Sequence, residues 1–188
     1  MGAIIRPAEL SDAVSLGVLH STCWAELYSA TLKPEILDQL DSGTMTLLWR
    51  KFVKRGAAYR QWVAVLDGEL VGFVGIGPGR EQGHEASTEL YFLYVSAHHR
   101  RQGIGGELLD VADADYMWIW EGLKKTRKYY ERRGYRPDIV RATRGIATRS
   151  RASKMFGAYH TEFKLMRPAV VAQPAIADAA EPVAGYFS

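Results

Sequence analysis

The run TELYFLYVSAHHRRQGIGGELL, residues 88–109, restricts the fold more than any other stretch of the chain. Its first eight residues are aromatic and β-branched strand formers. A basic segment with three glycines follows, and Leu108, Leu109 and Ala112 then carry a helical pattern. A strand, a glycine turn and a helix in this order place a row of backbone N–H groups at one junction. Such a junction is suited to holding an anion.

Upstream, WVAVLDGELVGFVGIG reads as two strands joined by Asp67-Gly68, because a tight hairpin requires positive φ at both turn positions. With residues 88–95 these make a three-stranded meander. Before it, a short strand at 3–6 leads through a cap at Ser11 or Asp12 into a helix reaching Trp24 and Tyr28. A second helix is expected from Pro34 through Leu40, stopped at Ser42-Gly43, with a further amphipathic stretch at 45–53. After the glycine turn the pattern gives a helix at 104–114, a strand at 116–120, a helix at 124–133 stopped by Gly134, and strands at 139–147 and 158–166. At 188 residues this is one domain, over 1–167, with an Ala/Pro-rich extension at 168–188.

Several functions are excluded by what the chain lacks. No apolar run is long enough to span a bilayer and the N-terminus has no signal-like apolar core, so no membrane role and a cytoplasmic location are expected. Cys23 is the single cysteine. A disulfide framework or cysteine-rich metal site is thereby ruled out, no metal is expected, and Cys23 reads as packing. The net charge is only +3, but twelve Lys or Arg residues stand between Lys124 and Lys154 against Glu131 and Asp138. That stripe reads first as a solvated basic face, and nucleic acid is not the expected partner.

Three phosphate-binding patterns compete for RRQGIGG. A Walker loop requires Gly-Lys-Ser or Gly-Lys-Thr, which the chain does not contain. A dinucleotide fingerprint needs a small residue where Leu108 stands, and Gly75 with Gly77 fails equally because Arg80 takes the third place. The remaining pattern is Arg100-x-x-Gly103-x-Gly105, whose curled backbone suits a pyrophosphate.

With that loop between a strand and a helix, and with YYERRGYRP at 129–137, the chain resembles the GNAT superfamily of N-acetyltransferases. The likeness runs over about residues 3–167 and includes IIRPAELSDA and the Trp24/Tyr28 pair. It implies an α/β fold with a central mixed, mostly antiparallel twisted sheet flanked by helices. It also implies acetyl transfer from acetyl-CoA, as acyl-donor cosubstrate, to the primary amine of a small molecule or peptide in a ternary complex. On this resemblance, backbone groups of Leu93, Tyr94 and Val95 would pair with the pantetheine arm. Arg100, Arg101, Gln102, Gly103, Ile104, Gly105 and Gly106 would hold the pyrophosphate. Glu89 would supply the base, with His84 or water as alternatives, and Tyr130 the proton for the thiolate, while Trp24, Tyr28 and His84 would line the acceptor side. Unbroken strand alternation puts Glu89, Tyr91, Leu93 and Val95 on one face. Tyr129 and Tyr135 are expected to pack.

Two departures from the family stand out: the segment after Gly105 is short, and Leu123 occupies a place where many members carry Asn. They motivate an alternative, a catalytically silent module that binds acyl-CoA or a partner. A monomer or homodimer is expected.

Overall fold

The computed structural model describes residues 2–29, 37–81, 83–145 and 159–168. Among these, seven strands form one sheet in the order β1-β2-β3-β4-β5-β7-β6. They are β1 (Ile4–Pro7), β2 (Arg60–Leu66), β3 (Glu69–Pro78), β4 (Thr88–Val95), β5 (Tyr116–Trp120), β6 (Arg136–Gly145) and β7 (Tyr159–Met166). Every neighbouring pair is antiparallel except β4 with β5. The mixed, mostly antiparallel sheet is therefore the one implied by the sequence. The extension at 168–188 lies beyond the described residues from position 169 onward, as does the expected helix start at Pro34.

Helices cover both faces. On one lie α1 (Ala13–Tyr28) and α2 (Ser42–Val53), packed over Val63 and Phe73 through Leu16, Leu19, Cys23 and Trp49. On the other lie α3 (Ile104–Ala112) and α4 (Lys124–Arg132), where Ile104, Leu108 and Tyr130 meet Val74, Ile76, Leu90, Met117 and Leu165. Burying two apolar faces of one sheet is what permits strands such as β3 to be apolar almost throughout.

Ser42-Gly43 begins a helix rather than ending one. The Asp41 carboxylate accepts from the Thr44 amide at 2.6 Å, so the polar cluster is an N-cap. Gly17 explains how α2 can lie so close to α1: a Cβ there would sit 2.7 Å from the Thr46 nitrogen and 2.8 Å from the Ser42 oxygen. The Asp67-Gly68 turn has φ of 49° and 83°, as the hairpin required.

Two irregularities create the functional region. Between β3 and β4 the register slips at Gly75/Ile76, leaving Tyr91 as the extra residue of a bulge. Alternation is thereby broken: Glu89, paired with Gly77, faces the α1 side along with Phe92 and Tyr94, while Leu93 lies opposite Val74 toward α3. The expectation that Glu89 and Leu93 share a face is corrected by that one added residue. The second irregularity is that β4 and β5 pair only at Glu89↔Tyr116 and Leu90↔Met117, after which they part.

Glycines 75 and 77, unsuited to a nucleotide fingerprint, serve this bulge. A Cβ at Gly75 would meet the Phe92 ring at 2.1 Å, and one at Gly77 would meet Tyr91 at 2.6 Å.

Candidate functional site

Where β4 and β5 diverge, a cleft of about 680 Å³ opens through the sheet. Its strand walls are Leu90–Val95 and Met117–Trp120. Because β3 uses only one edge of β4, the other edge presents backbone groups to the cleft beyond Leu90. A free strand edge of this kind can take an extended amide-bearing ligand as an added strand.

The glycine turn closes one end. Arg101 has φ +64° and Gly103 φ +91°, so the chain curls left-handed twice before α3 begins. The Gly103 carbonyl accepts from the Gly106 amide at 2.7 Å and the Glu107 amide at 3.2 Å. The amides of Ile104 and Gly105, one step earlier, have no acceptor among the described residues. They stand at the positive end of α3, as an anion site needs. The buried Tyr129 hydroxyl is also without a partner among the described residues, and a Cβ on Gly105 would lie 3.4 Å from it. Free amides and a polar hydroxyl beside glycine fit a phosphate.

The side chains of this loop differ in use. Arg100, Arg101, Gly103, Gly105 and Gly106 line the cleft. Ile104 is core, and Gln102 donates to the His98 carbonyl at 3.1 Å, so both can offer only backbone there. Arg100 donates through Nε to the Val95 carbonyl at 3.0 Å and through Nη2 to Glu26 at 2.6 Å. Arg133, held 3.3 Å from Asp110, lies over Gly106, and both Arg133 and Lys125 line the cleft. Leu123, in the place of the family's Asn, lines the cleft and packs on the core.

Tyr130 lines the cleft. It is 6% exposed, on the α3–α4 side of the cleft, its ring edge-on to Tyr129 and Tyr135. Burial, reinforced by the two neighbouring phenols, pushes its acidity far below that of an ordinary phenol, so it is a proton donor rather than a phenolate. Tyr135 packs and donates to the Ala114 carbonyl at 2.7 Å. The Cys23 thiol is pushed up to about 11, chiefly by burial, which leaves it protonated and inert.

Glu89 and His84 are not brought to the cleft. Glu89 is fully buried; its carboxylate accepts from Arg80 Nε and from the Arg80 amide, each at 2.9 Å, and from the Tyr116 hydroxyl at 3.1 Å. Arg80 Nη2 also bonds it, and the guanidinium lies 4.4 Å from the centre of the Tyr91 ring. This is a strut joining the bulge of β4 to β5 and to the loop after β3. A carboxylate so held is not a free base. His84 belongs to an adjoining half-buried cluster around the buried Lys164: its Nε2 is 3.5 Å from Lys164 Nζ, which pairs with Glu81 at 3.2 Å and Asp138 at 2.9 Å. Burial opposes the charge of Lys164, yet its two carboxylate partners prevail and raise its pKa. The cluster ties that loop to β6 and β7.

Of the acceptor-side expectations, Tyr28 lines the cleft and Trp24 does not. Trp24 packs against Tyr28 and His20, with ring centres 4.9 and 5.8 Å away. Burial pushes the Tyr28 hydroxyl up to about 12, with a hydrogen bond to Tyr94 working against it. Sequence reasoning missed Glu26, Trp118, Trp120 and Glu162, all of which line the cleft. Alternation in YMWIW was the available signal for the two tryptophans, since Met117 and Ile119 must face the core if Trp118 and Trp120 do not.

No group of three or more His, Cys, Asp or Glu among the described residues could hold a metal ion, and no helix there is long and apolar enough to cross a membrane.

A family model described as an acetyltransferase (GNAT) domain matches residues 57–137, from just before β2 to the start of β6. The chain is 29% identical over 142 residues, 71% of its length and 80% of the relative's, to the probable N-acetyltransferase Rv2775 of Mycobacterium tuberculosis. It is 27% identical over 105 residues, 56% of the chain and 59% of the relative, to YuaI of Bacillus subtilis, described as an uncharacterized N-acetyltransferase. Its fold is similar to that of the PaiA N-acetyltransferase of Thermoplasma acidophilum in complex with coenzyme A, with a TM-score of 0.63 at 14% identity over 88% of this chain and 99% of that one. Apo YjaB of Escherichia coli is similar at a TM-score of 0.61 and 17% identity, over 89% of this chain and 99% of that one. Over residues 57–137 the chain thus resembles the GNAT acetyltransferases, and its fold is similar to theirs.

Proposed function

We propose that the protein transfers the acetyl group of acetyl-CoA to the primary amine of a small molecule or peptide, by direct attack within a ternary complex. The observation that carries this reading is the cleft itself, with the anion-holding turn at one end, a free strand edge along it and the Tyr130 hydroxyl on its wall. Relatives named as N-acetyltransferases, and a similar fold solved with coenzyme A, support it.

The turn at 100–106 holds the pyrophosphate through backbone amides and the end of α3. The β4 edge at Leu93, Tyr94 and Val95 pairs with the pantetheine arm and aligns the thioester carbonyl. An amine attacks only when neutral, and at a reference pKa of about 10.4 most of it is protonated at pH 7. With Glu89 under Arg80 and His84 outside the cleft, that proton leaves to water entering from the open side. As the new C–N bond forms and the C–S bond breaks, Tyr130 protonates the departing sulfur, and the proton that the acylated nitrogen gives up returns the tyrosine to its neutral form through solvent. Glu89 is a positioning residue that holds the bulge.

Purified protein, acetyl-CoA and a panel of amines should release CoA thiol, and kcat/KM should rise with pH along the titration of whichever amine is supplied. A profile that stays put when the acceptor's pKa is changed would return the base to an enzyme group. Donor binding without thiol release across the panel would instead favour the silent binding module; the absence of both would end the reading.

A further inference from the structure

The helix layer formed by α1 and α2 is apolar on both of its sides. Leu16, Leu19 and Cys23 of α1 and Trp49 of α2 pack inward. On the outer side, Leu10 in the turn before α1, Val14 and Val18 of α1, and Leu47 and Leu48 of α2 are 40–60% exposed. They are five of the seven large apolar side chains left most open among the described residues, so the exposure is concentrated on one face. Leu10, Val14 and Val18 recur at intervals of four, and no charged residue stands between Asp12 and Glu26 to break the stripe. Gly17 brings α1 against Thr46 of α2, and the exposed Val18 and Leu47 follow these two residues directly, so the outer stripes of the helices adjoin.

The stripe on α2 turns basic along its length. Leu47 and Leu48 are followed at intervals of three and four by Lys51, Lys54 and Arg55, with Arg50 alongside, and all of these are exposed. No acidic residue occurs between Asp41 and Asp67, and Arg50, Lys51 and Lys54 have no carboxylate partner among the described residues. Arg55 lies over the rings of Phe52 and Tyr59, 5.3 and 4.6 Å from their centres.

We propose that this face docks on an anionic lipid surface, its leucines and valines entering the headgroup layer and its four cations lying among the lipid phosphates. The docking is independent of the transferase reading. It needs no spanning helix, the lack of which was the ground for expecting no membrane role. Apolar side chains mixed with cations and free of acids are the composition of a helix lying in a bilayer interface, and the negative potential of such a surface attracts each Lys or Arg brought near it. A second copy of the chain fits less well, because a twofold contact through this face would bring two sets of the same cations together. The basic helix α4 would attract the same lipids, but it has no exposed apolar side chain to insert.

Flotation of the full chain with vesicles of phosphatidylcholine, alone or mixed with phosphatidylglycerol, should give an apparent Kd at least about tenfold lower on the mixed vesicles. Lys51→Ser combined with Lys54→Ser should weaken that binding by about tenfold or more and flatten its salt dependence. Leu47→Ser combined with Leu48→Ser should weaken it by about tenfold with the salt dependence kept. Lys124→Ser combined with Lys128→Ser, on α4, should change it by less than about twofold. Absence of a preference for the anionic vesicles overturns the proposal, and the wild-type chain alone decides that point even if a variant fails to fold. A preference abolished by the α4 pair and untouched by the α2 pairs overturns it too. Equally tight binding to poly-glutamate, unchanged by the leucine substitutions, assigns the face to an acidic protein, and a dimer in sedimentation velocity that the leucine substitutions dissociate assigns it to a second copy; either result overturns the proposal. Thiol release should be the same in all these variants as in the wild-type chain, so failure of the transferase reading and failure of the docking face are told apart.

Discussion

Tyr130 was legible from its place in YYERRGYRP, and the fold gives it a wall position beside the parting strands. Its replacement by Phe removes one hydroxyl from a site that keeps its ring packing. Turnover should fall by about 10²-fold while the Kd for acetyl-CoA stays within about twofold, measured by thiol release and titration. His20 carried no signal in sequence. It is buried among Trp24, Trp49, Phe73, Phe92 and Tyr94, its Nε2 has no partner among the described residues, and burial lowers its pKa to about 3. The unfolded chain binds a proton there below about pH 6.5, whereas the folded chain does not until about pH 3. Its contribution to stability is therefore complete above pH 6.5 and is lost as pH falls through that window, by up to about 1.4 kcal/mol per pH unit. His20→Leu should gain stability relative to the wild-type chain by roughly that slope between pH 6 and pH 4. Parallel urea midpoints for the two proteins would contradict it.

Elements were mostly readable because their signals are local: period-two runs for β2 to β5, positive-φ glycines, the stop at Gly134. Errors arose where meaning depended on a neighbour. Ser42-Gly43 reads as a breaker until Asp41 is seen to cap the helix that starts there. Gly17 looks like a weak point in α1 until α2 is laid across it. Gly17→Ala should push the helices apart and cost about 1–3 kcal/mol in denaturant unfolding, although alanine is the better helix former. Gly103 differs in kind, since its left-handed φ of +91° belongs to the site. Gly103→Ala should cost about 1–2 kcal/mol of stability and also weaken acetyl-CoA binding. A variant that loses stability with an unchanged Kd would separate the turn from the donor site.

Across the whole molecule the cleft's cations, Arg100, Arg101, Lys125 and Arg133, come from the glycine turn, the start of α4 and the residue after its end. Raising salt from about 0.05 to about 0.5 M should weaken acetyl-CoA binding by roughly tenfold, because charges at the mouth of an open cleft are screened. Insensitivity to salt would argue for a donor held by backbone alone. The resemblance to the family, the order of strands and helices, the glycine turn and the place of Tyr130 beside it were legible in the sequence, because each is written within a few consecutive residues. Which way Glu89 faces, what holds it, and which side chains form the wall of the cleft were decided only by tertiary structure. A single extra residue at Tyr91 reverses the facing of β4, and the wall joins Tyr28, Trp120 and Glu162, which lie on three elements far apart in the chain. Periodicity within one strand cannot report a slip in its pairing, and it cannot report which distant strand lies beside it.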